Sequence, residues 1–297
     1  MDAARTAFNR FVDYAGLYPP ASLPFEAVVA NYGRYRQSAQ AWLLGRLIIP
    51  AERLRDAETL AAVAGASPSE RWPVSVLVGG AADVAASADA LSRAAARADS
   101  VIEVESLEAT AATPEDIERL AGAYQGYPNP FVEIPSQDDP SPLLAALARG
   151  GMGAKIRTGG ITADRVPSPA SVARFLAAAV GARVSVKATA GLHHAIRGDR
   201  PLTYDDDSPR SELHGFANLV FAATLLAAGK IDETLAEAVL DDDRPEVFKF
   251  GGRAGSWLNA VLTYGEFADA RDRVLRSVGS CSFVEPVQEL QALGWIA

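Results

Sequence analysis

Short β-forming runs alternate with alanine-rich helix-forming runs along the whole of this 297-residue chain, and no other feature constrains the fold as much. The β-like runs are Phe11–Tyr14, Trp42–Ile49, Trp72–Val78, Ser100–Glu105, Pro130–Ile134, Gly153–Arg157, Arg183–Thr189 and Glu246–Phe250. Pro50, Gly79-Gly80, Pro135, Gly159-Gly160, Gly191 and Gly251-Gly252 close six of them. Helix formers follow each run, as in 51–64, 81–98, 141–149 and 168–180. Thr113-Pro114-Glu115-Asp116 combines an N-cap, a proline in the first turn and two acids, which starts a helix. Strands that alternate with helices predict a parallel sheet with helices outside. Eight such units in a chain of this length fit a closed (βα)8 TIM barrel, an α/β fold of about 250 residues in one unit. An open doubly wound sheet is the alternative, and no glycine-rich dinucleotide fingerprint follows the first strand to favour it. The expected organisation is one barrel domain over 1–297, with a C-terminal helical tail from about residue 268.

Composition excludes several function classes. A net charge of -9, with no basic run interleaved with aromatics, argues against a nucleic-acid partner. One cysteine, Cys281, rules out an internal disulfide framework and a cysteine-rich zinc site. The polar start, Met1 to Arg10, has no apolar run behind it and does not read as a signal peptide. The apolar run 216–228 is too short to span a membrane and reads as a buried helix. A cytoplasmic protein is expected, with no membrane partner, and homo-oligomerisation is left open.

The active site of such a barrel lies at the carboxyl ends of its strands. Charged residues seldom occupy buried strands without a partner or a task. Glu103 and Glu105 share a face of strand four, Glu133 lies on strand five, and Lys155 and Arg157 share a face of strand six. Strand seven carries Lys187 and Thr189, and the run read as strand eight carries Lys249. Three of the four lysines thus fall in barrel strands. His193, His194 and His214 follow strand seven; of the adjacent pair, one side chain is expected to face the site, and His194 and His214 are the acid–base candidates. Thr158, Gly159, Gly160, Gly191, Gly251 and Gly252 sit at strand ends, where backbone N–H groups can approach an anion.

The stretches Lys155-Ile156-Arg157-Thr158-Gly159 and Val186-Lys187-Ala188-Thr189-Ala190-Gly191 resemble strands six and seven of the deoxyribose-phosphate aldolase group of class I aldolases. The resemblance covers about 40 residues. It implies a lyase in which Lys155 forms a Schiff base with a small carbonyl substrate and Lys187 lowers its pKa by like-charge repulsion. It also implies that Glu103 or Glu105 moves protons, with Glu133 as a further candidate. Arg157, Thr158, Thr189, Lys249 and the glycines would then hold an anionic group of that substrate, and no cofactor is required.

Two other readings compete. A barrel enzyme could use lysine as a base or clamp, with a metal at His194, His214 and Glu133, although no HExxH or His-x-His spacing occurs. A non-catalytic binding protein could fill its barrel with structural ion pairs.

Overall fold

A computed structural model of the protein describes residues 2–84, 86–87, 91 and 99–297. Helix α1 (Ala3–Phe8) leads into β1 (Val12–Tyr14), and α2 (Phe25–Arg36), β2 (Leu44–Pro50), α3 (Leu54–Val63) and β3 (Trp72–Gly80) follow. Next come β4 (Ile102–Thr110), α4 (Pro114–Ala123), β5 (Pro130–Glu133), α5 (Ser141–Gly150), β6 (Gly153–Arg157), α6 (Pro169–Ala182) and β7 (Val186–Thr189). Of the helix expected over 81–98, residues 85, 88–90 and 92–98 lie outside the described residues.

These seven strands and one more close an all-parallel eight-stranded (βα)8 barrel. Apolar β-branched runs such as Val74–Val78 are buried because core and helices cover both faces of a parallel strand. The helix starts match their signals: Thr113 accepts from the Asp116 N–H and Ser168 from that of Ser171.

After β7 the chain departs from simple alternation. It forms a hairpin of β8 (Gly198–Pro201) and β9 (Arg210–Leu213), then α7 (Phe216–Ala227) and α8 (Glu233–Asp241). Every residue of α7 from Phe216 to Leu226 is buried, in line with its mostly apolar sequence. An antiparallel sheet of β10 (Phe248–Gly251), β11 (Ala254–Trp257) and β12 (Ala260–Thr263) comes next, then α9 (Tyr264–Arg273). Strand β13 (Leu275–Ser280) closes the barrel between β7 and β1, and α10 (Val284–Ala292) ends the fold.

The eighth barrel strand is therefore not 246–250 but β13, which the sequence reading placed in a helical tail. Gly251 pairs with Ala254 across a tight turn in which Gly252 has φ +55°, so the glycines there make a hairpin rather than a strand-to-helix turn. Lys249, Gly251 and Gly252 are exposed, and Gly252 accepts a hydrogen bond from Ala3 in α1, which enters β1 from the amino end. They take no part in a carboxyl-end site. β13 reads weakly because Ser277, Gly279 and Ser280 replace the bulky residues that mark a strand. No helix among the described residues is long and apolar enough to cross a membrane.

Candidate functional site

A single chain of alternating charges fills the carboxyl half of the barrel. Asp13 on β1 accepts from Lys187 Nζ at 2.6 Å, and the same ammonium reaches Glu108 Oε1 on β4 at 2.5 Å. The other oxygen of Glu108 meets Lys155 Nζ on β6 at 2.9 Å, and Lys155 lies 3.2 Å from Glu133 Oε2 on β5. Glu133 in turn accepts from Arg157 Nε at 2.9 Å. Neighbouring strands hold the chain in register, since Glu133 and Lys187 are the cross-strand partners of Lys155 on its two sides.

Hydroxyls and backbone complete the carboxylates. Ser75 on β3 donates to Glu108 at 2.6 Å, and Ser277 on β13 donates to Asp13 at 2.8 Å. The Arg46 N–H donates to the other Asp13 oxygen at 2.7 Å. A Cβ at Gly45 would collide with that oxygen, so glycine makes room for this contact.

Burial pushes the Glu108 carboxyl up, but Lys155 and Lys187 outweigh it and hold the group well below the usual carboxylate range. Asp13 is likewise held low, as Lys187 and Arg46 outweigh its burial. At Lys155 burial pulls the pKa down, yet Glu108 and Glu133 raise it above the ordinary value. Like-charge repulsion from Lys187 therefore does not set the Lys155 pKa in the resting protein. Glu108 stands between the two ammonium groups and bonds to both.

Lys155 and Lys187 differ in access. Lys155, Glu108 and Glu133 face a cavity of about 720 Å³ at the carboxyl ends of the strands, whereas the Lys187 side chain is 1% exposed and lies beneath it. Tyr18, Ile48, Leu77 and Ile161 give the cavity apolar surface, and Arg157, Arg165, Gly159, Gly160 and Thr189 lie along β6 and β7. Thr158 is buried and ties the two loops together by donating to the Ala190 carbonyl at 2.8 Å. Gly191, at φ +74°, packs against Gly159, where a Cβ would press on backbone.

Several expected site residues lie elsewhere. Glu103 is exposed in the first part of β4, and Glu105 meets Arg10 at 2.7 Å and Arg46 at 3.1 Å toward the amino end. The β3–β4 ladder pairs Val74 with Val104 and Ser75 with Ser106, which leaves Glu105 as a one-residue bulge. That bulge resets the alternation and turns Glu108 to the lysines. A strand ended at Glu105 misses Glu108, and nothing in the sequence signals the bulge. Asp13 was also missed, although an acid inside an apolar strand is a combination that asks for a partner.

Of the adjacent histidines, His193 faces the cavity. Its Nδ1 lies 3.0 Å from Ser280 Oγ, its Nε2 lies 3.7 Å from Cys281 Sγ, and burial lowers its pKa to about 4. His194 pairs instead with Glu289 on α10 at 2.5 Å. His214 is buried outside the cavity, where its Nε2 lies 2.8 Å from the Pro167 carbonyl, and burial lowers its pKa to about 4. His194, His214 and Glu133 do not converge, and no group of three His, Cys, Asp or Glu among the described residues has the geometry of a metal site. The class defined by fold and site is a (βα)8 barrel with a buried lysine pair beneath a carboxyl-end cavity. No protein-family model and no curated protein matches this sequence.

Proposed function

We propose that the protein is a lyase of the class I aldolase type, acting on a small carbonyl substrate with an anionic group through an imine at Lys155. The observation that carries this reading is the placement of Lys155. Its amine sits on the floor of a cavity of about 720 Å³, 2.9 Å from Glu108 and 3.2 Å from Glu133. Arg157 and Arg165 line the β6 side of the same cavity and suit an anionic substrate group.

An ammonium group cannot attack a carbonyl, so Lys155 must first lend a proton. Glu108 is a poor acceptor because two lysines hold its pKa down. Glu133, on the cavity wall, is the better placed base. The Nζ lone pair then forms the C–N bond, and the carbonyl oxygen leaves as water with the lent proton and a second one from nitrogen. Ammonium plus carbonyl thus gives a protonated imine plus water. That imine can draw the electron pair of a C–C bond one carbon away, while a hydroxyl beyond the bond loses its proton to Glu133 and becomes a carbonyl. Lys187, bonded to Asp13 and Glu108, keeps Glu108 ionised and in place beneath Lys155.

Borohydride reduction with small anionic aldehydes and ketones, followed by peptide mass spectrometry, tests the proposal. The expected result is a reduced adduct on Lys155 that is absent from Lys155→Met. No adduct on the native protein across a broad panel overturns it. The completeness of the ion pairing favours a second reading, a non-catalytic binding protein with a structural charge plug. On that reading the native protein gives no adduct, and Lys155→Met lowers stability by taking a countercharge from Glu108 and Glu133 while binding is retained.

A further inference from the structure

The cavity continues beyond β7. His193, Pro19, Gly160 and Ala190 also line an annex of about 130 Å³ that runs beneath the β8–β9 hairpin. The two compartments have opposite polarity. Arg157 and Arg165 stand by the cavity, whereas Glu285, the first acidic residue of α10, lines the annex with Tyr204.

Glu285 Oε2 accepts from the Tyr204 hydroxyl at 2.9 Å, and its side chain is 32% exposed. Among the described residues no Lys or Arg lies within ion-pair range of it. The nearest basic group is His193 Nδ1 at 3.8 Å, and burial lowers the pKa of that imidazole to about 4, so it is neutral at pH 7. Of the other carboxylates of this mouth, Asp13 and Glu108 have Lys187, Glu133 has Lys155, and Glu289 accepts from the Ala195 N–H at 2.6 Å and lies 2.5 Å from His194 Nδ1. Among the described residues Glu285 has neither a lysine nor a backbone N–H as partner.

A second feature points into the same space. His193 is 7% exposed, and its Nε2 meets only the Cys281 sulfur, at 3.7 Å, with no nitrogen or oxygen partner among the described residues. A carboxylate without a Lys or Arg partner and a buried imidazole whose Nε2 meets only a sulfur thus flank one annex that opens on the cavity.

We propose that the annex receives an ammonium group, which makes the substrate class an amino-substituted oxo acid. This rests on reading the cavity as the substrate site. The carboxylate or other anion lies toward Arg157 and Arg165, the carbonyl lies over Lys155, and the ammonium donates to Glu285 with His193 Nε2 as a second polar contact. Water occupies about 30 Å³ in the liquid, so the annex has room for an ammonium group and a methylene or two.

Calorimetric titration of the intact protein with aminohexanoate and with hexanoate tests the annex without imine chemistry, since neither probe has a carbonyl. Aminohexanoate is expected to bind about tenfold more tightly, the size of one charge-assisted hydrogen bond. Glu285→Gln is expected to remove that advantage while hexanoate binding stays unchanged. Equal affinity of the two probes for the native protein, or no binding of either, overturns the proposal, as does an advantage that survives in Glu285→Gln. A failed borohydride experiment, by contrast, removes the imine at Lys155 and leaves this measurement standing.

Discussion

The two mouths of the barrel both hold a hollow, but they are built differently. The one at the amino end, about 430 Å³, is lined by Phe131, Met152, Ala179 and Val184, with Arg183 and Arg273 among its residues. Arg273 is tied to Asp269, one turn away on α9. The nearby Arg10–Glu105 pair is partly in water, with the Arg10 side chain 49% exposed. At the carboxyl mouth the charges belong to the strands themselves, and Asp13, Glu108, Lys155 and Lys187 are nearly sealed from solvent while Arg157 reaches it. Exposed pairs are screened and contribute little, whereas buried ones must be matched group by group. A barrel can carry ion pairs at both ends, yet only where they are buried beneath an open cavity can they act on what enters.

That contrast can be broken most directly at Lys187. Lys187→Met leaves Asp13 and Glu108 ionised and buried beside one another, and is expected to destabilise the fold by about 3–5 kcal/mol. Urea unfolding measures it, and a loss near zero would mean that water reaches this layer.

A smaller effect separates the mouths by pH. His193 has a folded pKa of about 4 against an ordinary value of 6.5, so between these the unfolded chain binds the extra proton. Stability from this group is complete above pH 6.5 and is lost as pH falls toward 4, at a slope of about 1.4 kcal/mol per pH unit. The stability of native protein relative to His193→Gln is expected to decline with that slope over the same window, and parallel curves would contradict the burial argument.

The smallest effect belongs to the amino mouth. Glu105→Gln is expected to change stability by no more than about 1 kcal/mol, because Arg10 returns to water and Arg46 stays near Asp13. A loss as large as that of Lys187→Met would erase the distinction between the two ends.

Seven of the eight barrel strands were legible as β-forming runs, five of them stopped by glycine or proline, because a strand covered on both faces is rich in apolar residues. The eighth was not. Phe248–Gly251 looks more like a strand than Leu275–Ser280, and it is one, in an antiparallel sheet outside the barrel. Ser277 and Gly279 look wrong for a strand because β13 lies against the Asp13 carboxylate and Thr189, where small side chains fit. For the candidate site, Lys155, Lys187, Glu133 and Arg157 could be picked from the chain as charges inside β-forming text. Glu108 could not, because its inward direction depends on the bulge at Glu105. His193 and His194 could be narrowed to one cavity-facing ring but not decided between.

By itself, the sequence determined the periodicity, and with it the parallel barrel, the buried α7 and the presence of two lysines on neighbouring strands. These follow from local propensity and the apolar pattern, which each segment carries alone. Which acid lies between the lysines, which strand closes the ring and which carboxylate lacks a countercharge were settled by the tertiary structure. Each of these is a relation between residues far apart in the chain, set by ladder register and chain closure, and no short segment encodes it.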